Sequence, residues 1–292
     1  SLAAAEVAED CEKLMWNQGG AADGIYQKGY RWVVGTLTPA SEYLAGLLPL
    51  VRQADPEAKT LGIVRAYPGE FPRAVSQPLE RTCKALGFQL SLVREYPPST
   101  VDFRNILEEV QGIRPDVLVA VGRIRNDLEM ARCLAKRRPR LRAVTVVAAP
   151  IQQFREVLGE EAEGFLGPSQ WEEACCYPID YGPASAEVLA SIRRHGPYQV
   201  DYPAVQAYAA CLGAQRCLET AGTVEDRVLR AAAEILDFST FFGRFKIDPH
   251  TGRQTGHAAV IAQWQQGRKV IVWPPEQREG GMVYPWPERR PS

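Results

Sequence analysis

Short segments that are apolar at nearly every position recur through the middle of the chain, and single helical patterns separate them. Three of these segments are Leu61 to Ala66, Val117 to Gly122 and Val144 to Ala149. A strand that is apolar on both sides has to be covered on both sides, as in a parallel sheet with helices on each face. The alternation of strand and helix predicts right-handed crossovers. Residues 38 to 170 are therefore predicted to form one doubly wound α/β unit.

Helical patterns lie between these strands, at Pro72 to Leu86, Val101 to Ile113 and Asn126 to Arg137. Asn126, with Glu129 three residues later, indicates a capping box at the start of the third helix. Each predicted helix follows a predicted strand directly. The carboxyl ends of the strands and the amino ends of the helices should therefore meet at one edge of the sheet.

After Ser169 the pattern changes to nearly continuous helix between residues 184 and 236. Within this region Val205 to Ala221 ends at Gly222, which predicts a helix C-cap at that glycine. Pro274 to Ser292 is rich in proline, glycine and charge, which predicts a surface tail. Between the two regions lie strand-like segments at Gly243 to Ile247, Ala258 to Trp264 and Lys269 to Trp273.

The charges of the chain are nearly balanced, with 34 basic and 35 acidic residues and a formal net charge of −1. No overall field gathers nucleic acid or an anionic membrane, so no nucleic-acid partner is predicted. No apolar run approaches the roughly 18 to 20 residues that cross a bilayer. One dense basic stretch follows a helical pattern, where the helix dipole favours cations, and a phosphate-binding patch is the less favoured alternative. Its members are Lys136, Arg137, Arg138, Arg140 and Arg142.

The patterns that usually mark catalysis are absent from the sequence. There is no GxSxG, no Walker loop and no GxGxxG, and the three histidines have no metal-ligand spacing. No enzyme activity, metal or cofactor is therefore predicted. Cys175 and Cys176 are the best candidates for a nucleophile, although two structural thiols in a loop are the favoured interpretation. The odd total of seven cysteines slightly favours a reducing environment.

Ligands of doubly wound sheets bind beyond the carboxyl ends of the strands. Arg123 is placed where a strand ends and a helix begins, so it can hold a carboxylate together with the helix N-terminus. A surface arginine or one that packs between lobes is an equal alternative. The candidate loops are Trp16 to Ala22, Ala66 to Phe71, Gly122 to Asp127 and Ala149 to Gln153.

Several stretches carry a family resemblance in a common order over nearly the whole chain. They are Gly29-Tyr30, Asp102 to Gly122 (DFRNILEEVQGIRPDVLVAVG), Ala162 to Leu166 (AEGFL), and Phe242 to Gly267, which contains FGRFKID and TGRQTGHAAVIAQWQQG. In these segments the chain resembles the leucine-binding, branched-chain amino acid ABC transporter receptors among type I periplasmic-binding proteins.

The resemblance implies a two-lobed α/β fold of the periplasmic-binding-protein-like I type with doubly wound parallel sheets. The first lobe would comprise residues 1–37 and 171–244, the second 38–170 and 245–275, with a surface tail at 276–292. Crossing strands would fall near Val33 to Leu37, Leu166 to Trp171, and Arg244 to Asp248. Ser1 aligns just after the family's Ser-rich ligand loop, so the first lobe is expected to be incomplete.

The resemblance also implies a set of ligand-binding residues from both lobes. Two departures from the family affect the ligand class: Gly19, Gly20 and Ala21 lack the family's threonine, and no acid follows the strand at Val144 to Ala149. The ligand is therefore expected to be a carboxylate or neutral amide, with an aromatic ring favoured, unless Asp180, Glu172 or Glu173 holds an ammonium group. The expected site residues are Trp16, Gly19, Gly20, Ala21, Tyr67, Glu70, Phe71, Arg123, Gln152, Trp171 and Tyr202.

By this resemblance the chain would be a periplasmic or extracellular membrane-associated receptor. It would close around a small organic solute and present it to the membrane permease of an ABC-type uptake transporter. The alternative is the same fold used as a ligand-sensing domain of a larger signalling or regulatory protein, which could be cytoplasmic.

Overall fold

The computed structural model describes residues 1–195 and 200–287. The chain divides into two compact units, of which unit 1 comprises Ser1–Ala40 and Gln170–Ala259, and unit 2 comprises Ser41–Ser169 and Val260–Ser292. The predicted lobe boundaries differ from this division mainly at the third crossing. Residues 244–248 lie inside unit 1, because a strand there pairs with its own neighbour in the chain.

The described residues form ten α-helices, eleven β-strands and three short 3-10 segments. The helices are α1 (Leu2–Asp10), α2 (Gly24–Gln27), α3 (Leu47–Ala54), α4 (Glu70–Thr82), α5 (Arg104–Ile113), α6 (Ile124–Arg137), α7 (Gln152–Leu158), α8 (Ser185–Arg194), α9 (Tyr202–Ala221) and α10 (Asp226–Ile235). The strands are β1 (Met15–Asn17), β2 (Val33–Gly35), β3 (Thr60–Ala66), β4 (Gln89–Tyr96), β5 (Val117–Val121), β6 (Ala143–Val146), β7 (Leu166–Ser169), β8 (Asp237–Thr240), β9 (Gly243–Lys246), β10 (Val260–Gln265) and β11 (Arg268–Trp273). The 3-10 segments are Ala40–Glu42, Gly159–Ala162 and Pro275–Gln277.

Unit 2 contains one sheet of seven strands in the order β11-β10-β7-β6-β5-β3-β4. The five strands from β3 to β7 pair in parallel, and β10 and β11 add to the edge beside β7 in antiparallel pairing. This confirms the predicted α/β fold. Every residue of β5 is buried, as a strand covered on both faces requires.

Unit 1 has two small sheets and five of the described α-helices, α1, α2, α8, α9 and α10. Strands β1 and β2 pair in parallel, and β8 and β9 form an antiparallel pair. Helix α9 ends at Gly222, whose φ of +66° lies in the left-handed region, so the predicted C-cap is confirmed. One hydrophobic core of unit 1 joins Val34 of β2, Cys217 of α9, Ala233 of α10 and the phenylalanines of β8 and β9.

The predicted capping box of α6 is present, but its N-cap is Arg123, three residues before the predicted N-cap Asn126, and Asn126 is the third residue of the helix. The helix begins at Ile124 with Arg123 as the N-cap, so Asn126 is an interior residue that is 2% exposed. Its Oδ1 accepts a hydrogen bond from the Arg123 amide at 3.4 Å, and its Nδ2 donates to the carbonyls of Pro98 and Thr100 at 3.1 Å each. Asn126 therefore joins the start of α6 to the loop after β4.

The basic stretch after α6 contacts protein groups of unit 2. Arg137 pairs with Glu108 at 3.4 Å, and Arg142 pairs with Asp116 at 3.0 Å and with Asp55. The Arg138 guanidinium carbon lies 4.2 Å from the ring centre of Trp286. These contacts support the interpretation of the stretch as a helix end.

The segment predicted as a surface tail packs in part against unit 2. Trp286 is 4% exposed, its amide donates to the Arg142 carbonyl at 2.7 Å, and its ring meets Phe165 edge-on at 5.1 Å. Residues 288–292 of the predicted tail, and residues 196–199 of the predicted first lobe, lie outside the described residues.

Candidate ligand-binding site

The carboxyl edge of the unit 2 sheet carries the exposed candidates Tyr67 and Arg123. Strand β3 has β4 on one side and β5 on the other, so chain order reverses at β3. Arg65 of β3 is paired with Val121 of β5, and Tyr67 and Arg123 each lie two residues beyond this pair. Tyr67 is 46% exposed and Arg123 is also exposed. Both residues therefore lie beyond the same edge of the sheet, at the position where doubly wound proteins bind ligands.

Three helices of unit 2 begin at this edge. Glu70 is the first residue of α4 and is exposed, while Phe71 follows it and packs edge-on against Tyr43 at 5.7 Å. Gln152 is the first residue of α7 and is half-buried. The amino ends of α4, α6 and α7 present backbone N–H groups and the positive end of the helix dipole, which favour a negatively charged ligand group.

Asp127 lies four residues after Arg123, in the first turn of α6, and was not predicted as a site residue. It is the fourth residue of α6 and 1% exposed, and its Oδ2 accepts a hydrogen bond from the Ala148 amide at 3.1 Å. Burial raises the pKa of its carboxyl group to about 8, and hydrogen bonds from the Ala148 and Gly122 amides offset only part of that effect. The signal in the sequence was an acid at a position that faces the sheet, one turn into a helix that follows a buried strand.

The loop of unit 1 at residues 18–23 is held by Asn17, which is 3% exposed. The Asn17 side chain donates to the Gly20 carbonyl at 2.7 Å and to the Tyr26 hydroxyl at 3.0 Å, and it accepts from the Gly20 amide at 3.0 Å. A Cβ on Gly20 would lie 3.0 Å from Asn17 Oδ1, whereas a Cβ on Gly19 would meet nothing within 4 Å. Ala21 is 7% exposed, and its carbonyl accepts from the Ala40 amide at 2.7 Å.

The predicted aromatic residues of unit 1 make structural contacts. Trp16 lies in β1 with its ring 5.6 Å from the ring of Phe245, and a Cβ on Gly213 would lie 2.8 Å from it. Trp171 is 2% exposed, and its indole N–H donates to the Phe241 carbonyl at 3.0 Å. Tyr202 begins α9 and is half-buried.

A buried polar cluster near the ends of the unit 1 segments was not predicted. The Gln170 side chain accepts from the Thr38 amide at 3.0 Å and donates to its carbonyl at 3.2 Å. His257 Nε2 lies 2.9 Å from the Gln170 carbonyl, and its ring stacks on Phe242 at 4.5 Å. Burial lowers the pKa of His257 to about 4, so the ring is neutral at physiological pH. The cluster joins the end of the first chain segment of unit 1 to both ends of the second.

Two of the acids proposed as substitutes for an ammonium partner, Asp180 and Glu173, have side-chain contacts within unit 1. Asp180 Oδ1 accepts from the Ser239 amide at 2.8 Å, and Glu173 pairs with Arg193 at 3.0 Å. Glu172 is 7% exposed, and its amide donates to Cys175 Sγ at 3.4 Å. Among the cysteines, Cys11, Cys176 and Cys211 are exposed.

Within residues 1–195 and 200–287, no group of three or more His, Cys, Asp or Glu side chains is placed to hold a metal ion. None of the described helices is both long enough and apolar enough to span a membrane.

Solved structures of similar fold come from bacterial solute-binding proteins. A leucine-binding protein from Thermotoga maritima is 16% identical with a TM-score of 0.80, covering 92% of this chain and 75% of that one. A putative branched-chain amino acid ABC transporter protein from Silicibacter pomeroyi is 14% identical with a TM-score of 0.79, covering 98% and 79%. An ABC transporter solute-binding protein from R. palustris in complex with 4-hydroxybenzoate is 16% identical with a TM-score of 0.77, covering 92% and 73%.

These likenesses define the fold as that of a type I periplasmic-binding protein. A sequence profile of the family described as periplasmic binding protein matches residues 1–269. The chain therefore belongs to the periplasmic binding protein family, as its sequence motifs predicted.

Proposed function

We propose that the chain is the solute-binding receptor of an ABC-type uptake transporter, located in the periplasm or on the outer face of the cell membrane. It binds a small organic solute, closes around it and presents it to the membrane permease, without chemical change to the solute. The observation that carries this proposal is the pair of exposed side chains, Tyr67 and Arg123, beyond the carboxyl edge of the unit 2 sheet.

The solute of this receptor is a carboxylate, and a flat aromatic ring is favoured. Arg123 offers a planar guanidinium to a carboxylate, and the amino ends of α4, α6 and α7 add positive dipole ends. Tyr67 offers an exposed ring for stacking. The loop from Val147 to Gln153 contains no acid, so an enclosed ammonium would lack an opposite charge there, at a cost of several kcal/mol.

Relatives with both ligand classes exist among proteins of this fold. The Thermotoga protein is a leucine-binding protein, and the R. palustris protein binds 4-hydroxybenzoate. At 14 to 16% identity these proteins support the receptor role without selecting a ligand for this chain. Glu70, at the same edge of the sheet, is an acid that can accept a hydrogen bond from an ammonium group. A substitution of Glu70 therefore distinguishes amino acid ligands from carboxylates that have no ammonium group.

Calorimetric titration of the chain with benzoate, 4-hydroxybenzoate and leucine tests the proposal. We expect an aromatic carboxylate to bind, and Arg123→Ala to weaken it at least about tenfold, equivalent to about 1.4 kcal/mol. Arg125→Ala is the matched control, because Arg125 is exposed on the same first turn of α6 and should change affinity by less than about twofold.

The Glu70→Gln variant distinguishes the ligand classes. For a carboxylate that has no ammonium group, removal of the Glu70 charge should leave affinity unchanged or raise it slightly. For leucine the same change should weaken binding. Micromolar binding of leucine, isoleucine or valine that Arg123→Ala does not affect would contradict both the proposed site and the proposed ligand class.

A ligand-sensing domain of a larger regulatory protein is the second candidate function. It is favoured by the odd total of seven cysteines, three of them exposed, because proteins of oxidising compartments usually avoid leftover cysteines. The two functions share ligand binding and differ in the partner. Stimulation of solute uptake or transporter ATPase activity by the liganded chain, in vesicles that hold the permease, supports the transport role.

A further inference from the structure

Asp127 joins the two loops that flank the proposed ligand residue Arg123. Its Oδ2 accepts a hydrogen bond at 3.1 Å from the Ala148 amide, which follows β6, and its own backbone amide donates to the Arg123 carbonyl at 2.9 Å. Strands β5 and β6 are neighbours in the sheet. The Asp127 carboxyl group therefore links the first turn of α6, which follows β5, to the loop after β6, while Arg123 is exposed.

The other oxygen of this carboxyl group faces a second buried group. Asp127 Oδ1 and the Tyr96 hydroxyl are both buried without a hydrogen-bond partner. A Cβ built on Gly122 would lie 3.0 Å from Asp127 Oδ1 and would overlap the Tyr96 hydroxyl. The two oxygens thus approach the same Cα atom, and only glycine fits between them.

The surroundings of Asp127 disfavour a negative charge. Strand β4 contributes Tyr96, a titratable group whose own pKa is raised by burial and by Asp127, and the two loops contribute backbone amides. Arg125 is the nearest cation along the chain, and both Arg125 and Arg123 are exposed. A buried carboxylate that accepts one amide hydrogen bond is costly, whereas a neutral carboxyl group can offer its proton towards the Tyr96 hydroxyl.

We propose that Asp127 is a positioning residue of the ligand site, whose neutral carboxyl group holds the turns at Gly122–Arg123 and Ala148 in place and whose ionisation loosens them. This inference rests on the proposed function for its effect on binding, but its effect on the two turns is independent of any ligand. As pH rises through the pKa of about 8, the buried charge favours conformations that admit water.

Hydrogen exchange of the ligand-free chain tests the positioning role directly. After correction for intrinsic rates, exchange at the amides of Gly122 and Ala148 should increase in the wild type between one pH unit below and one above the pKa of Asp127. Asp127→Asn keeps an oxygen that accepts from Ala148 and places an amide donor towards Tyr96, so its corrected rates should be slow and independent of pH. Asp127→Ala should exchange fast at every pH.

Two results would overturn the inference: wild-type rates that do not change with pH, or an Asp127→Asn variant that shows the same increase as the wild type. Infrared spectroscopy adds an independent readout, since a protonated carboxyl band should be present in the wild type at pH 7 and absent in Asp127→Asn. A missing band in the wild type would also contradict the neutral state.

Benzoate binding extends the test to function, because benzoate itself does not titrate near pH 8. Wild-type affinity should fall by up to about tenfold per pH unit above the pKa, and Asp127→Asn should show a flat profile. Equal pH profiles for both proteins would refute the role of Asp127 in binding while leaving the receptor function intact. A pH-dependent exchange profile with no binding of benzoate, 4-hydroxybenzoate or leucine would contradict the proposed function but not the effect of Asp127 on the turns.

Discussion

Unit 2 and unit 1 use their aromatic side chains differently, although both units contain helices and strands. In unit 2 one seven-stranded sheet leaves the exposed residues Tyr67 and Arg123 beyond its carboxyl edge. In unit 1 the sheets are two-stranded, and the aromatic candidates Trp16 and Trp171 make core contacts. In unit 2 two side chains that follow strands are thus left available to a ligand. In unit 1 an aromatic side chain of a short strand, Trp16, and one that follows a strand, Trp171, are used for packing.

The largest expected effect comes from a core deletion in unit 2. Phe165 is fully buried, and its ring contacts Phe154 at 5.3 Å and Trp286 at 5.1 Å. Phe165→Ala should lower the free energy of unfolding by about 3–5 kcal/mol, through lost transfer energy and a cavity. Urea unfolding followed by circular dichroism measures the change. Ile235→Ala, at a 76% exposed position of unit 1, is the control and should change stability by less than about 0.5 kcal/mol.

A loss below about 1 kcal/mol for Phe165→Ala would contradict the packing of residues 274–287 against the sheet. Trp286→Ala on its own sharpens that result. If the segment packs as described, this variant should also destabilise unit 2, because its ring lies between Phe165 and the Arg138 guanidinium.

The two units should respond to pH with opposite signs. In unit 1 burial lowers the pKa of His257 from 6.5 to about 4, so folding favours the neutral ring. Its contribution to stability is fully present above pH 6.5 and is lost as pH falls towards 4, by at most about 1.4 kcal/mol per pH unit. Chemical denaturation between these pH values, compared with His257→Gln, measures the effect. A glutamine variant with the same acid dependence as the wild type would contradict it.

In unit 2 the dependence runs the other way. Burial raises the pKa of Asp127 from 3.8 to about 8, so the folded state binds the proton more tightly than the unfolded state. Its contribution is fully present below pH 3.8 and is lost as pH rises towards 8, after which it stays constant. The difference in stability between wild type and Asp127→Asn should therefore shift in favour of the variant across this range, and a constant difference would contradict the buried neutral carboxyl group.

A smaller loss is expected from Trp16→Ala in unit 1. Trp16 is only partly buried, so we expect a loss of about 2–3 kcal/mol, below the range for a fully buried aromatic residue. Affinity for the ligand should stay within about twofold, since the ring packs on Phe245 and against Gly213. Thermal unfolding and calorimetry of the same variant measure both quantities. Unchanged stability with lost binding would instead place Trp16 in the ligand site, as its sequence position suggested.

The sequence was most informative where local pattern and tertiary contacts agree. The apolar runs at β3, β5 and β6 could be predicted as buried parallel strands, because no other common arrangement covers both faces of such strands. The position of Tyr67 and Arg123 beyond the carboxyl edge of the sheet followed from that topology. The role of Asp127 could not be predicted, because it depends on a helix start at Ile124 and on the loop after β6. The packing of Trp16 against Phe245 and of Trp286 against Phe165 likewise depends on partners far along the chain.

The smallest effect on stability is expected from Tyr67→Ala, which makes it the sharpest contrast with Trp16→Ala. The Tyr67 amide donates to the Tyr96 carbonyl at 2.8 Å and is kept in the variant, while the ring is 46% exposed and buries little apolar area. Stability should therefore change by less than about 0.5 kcal/mol. Loss of the ring should weaken an aromatic carboxylate by about tenfold if it stacks on the ligand, and Tyr67→Phe should retain most of the affinity. Calorimetric titration with benzoate measures these affinities. Equal affinities for Tyr67→Ala and the wild type would show that Tyr67 is not part of the site. Weak binding by both Tyr67→Ala and Tyr67→Phe would show that the hydroxyl group, rather than the ring, contacts the ligand.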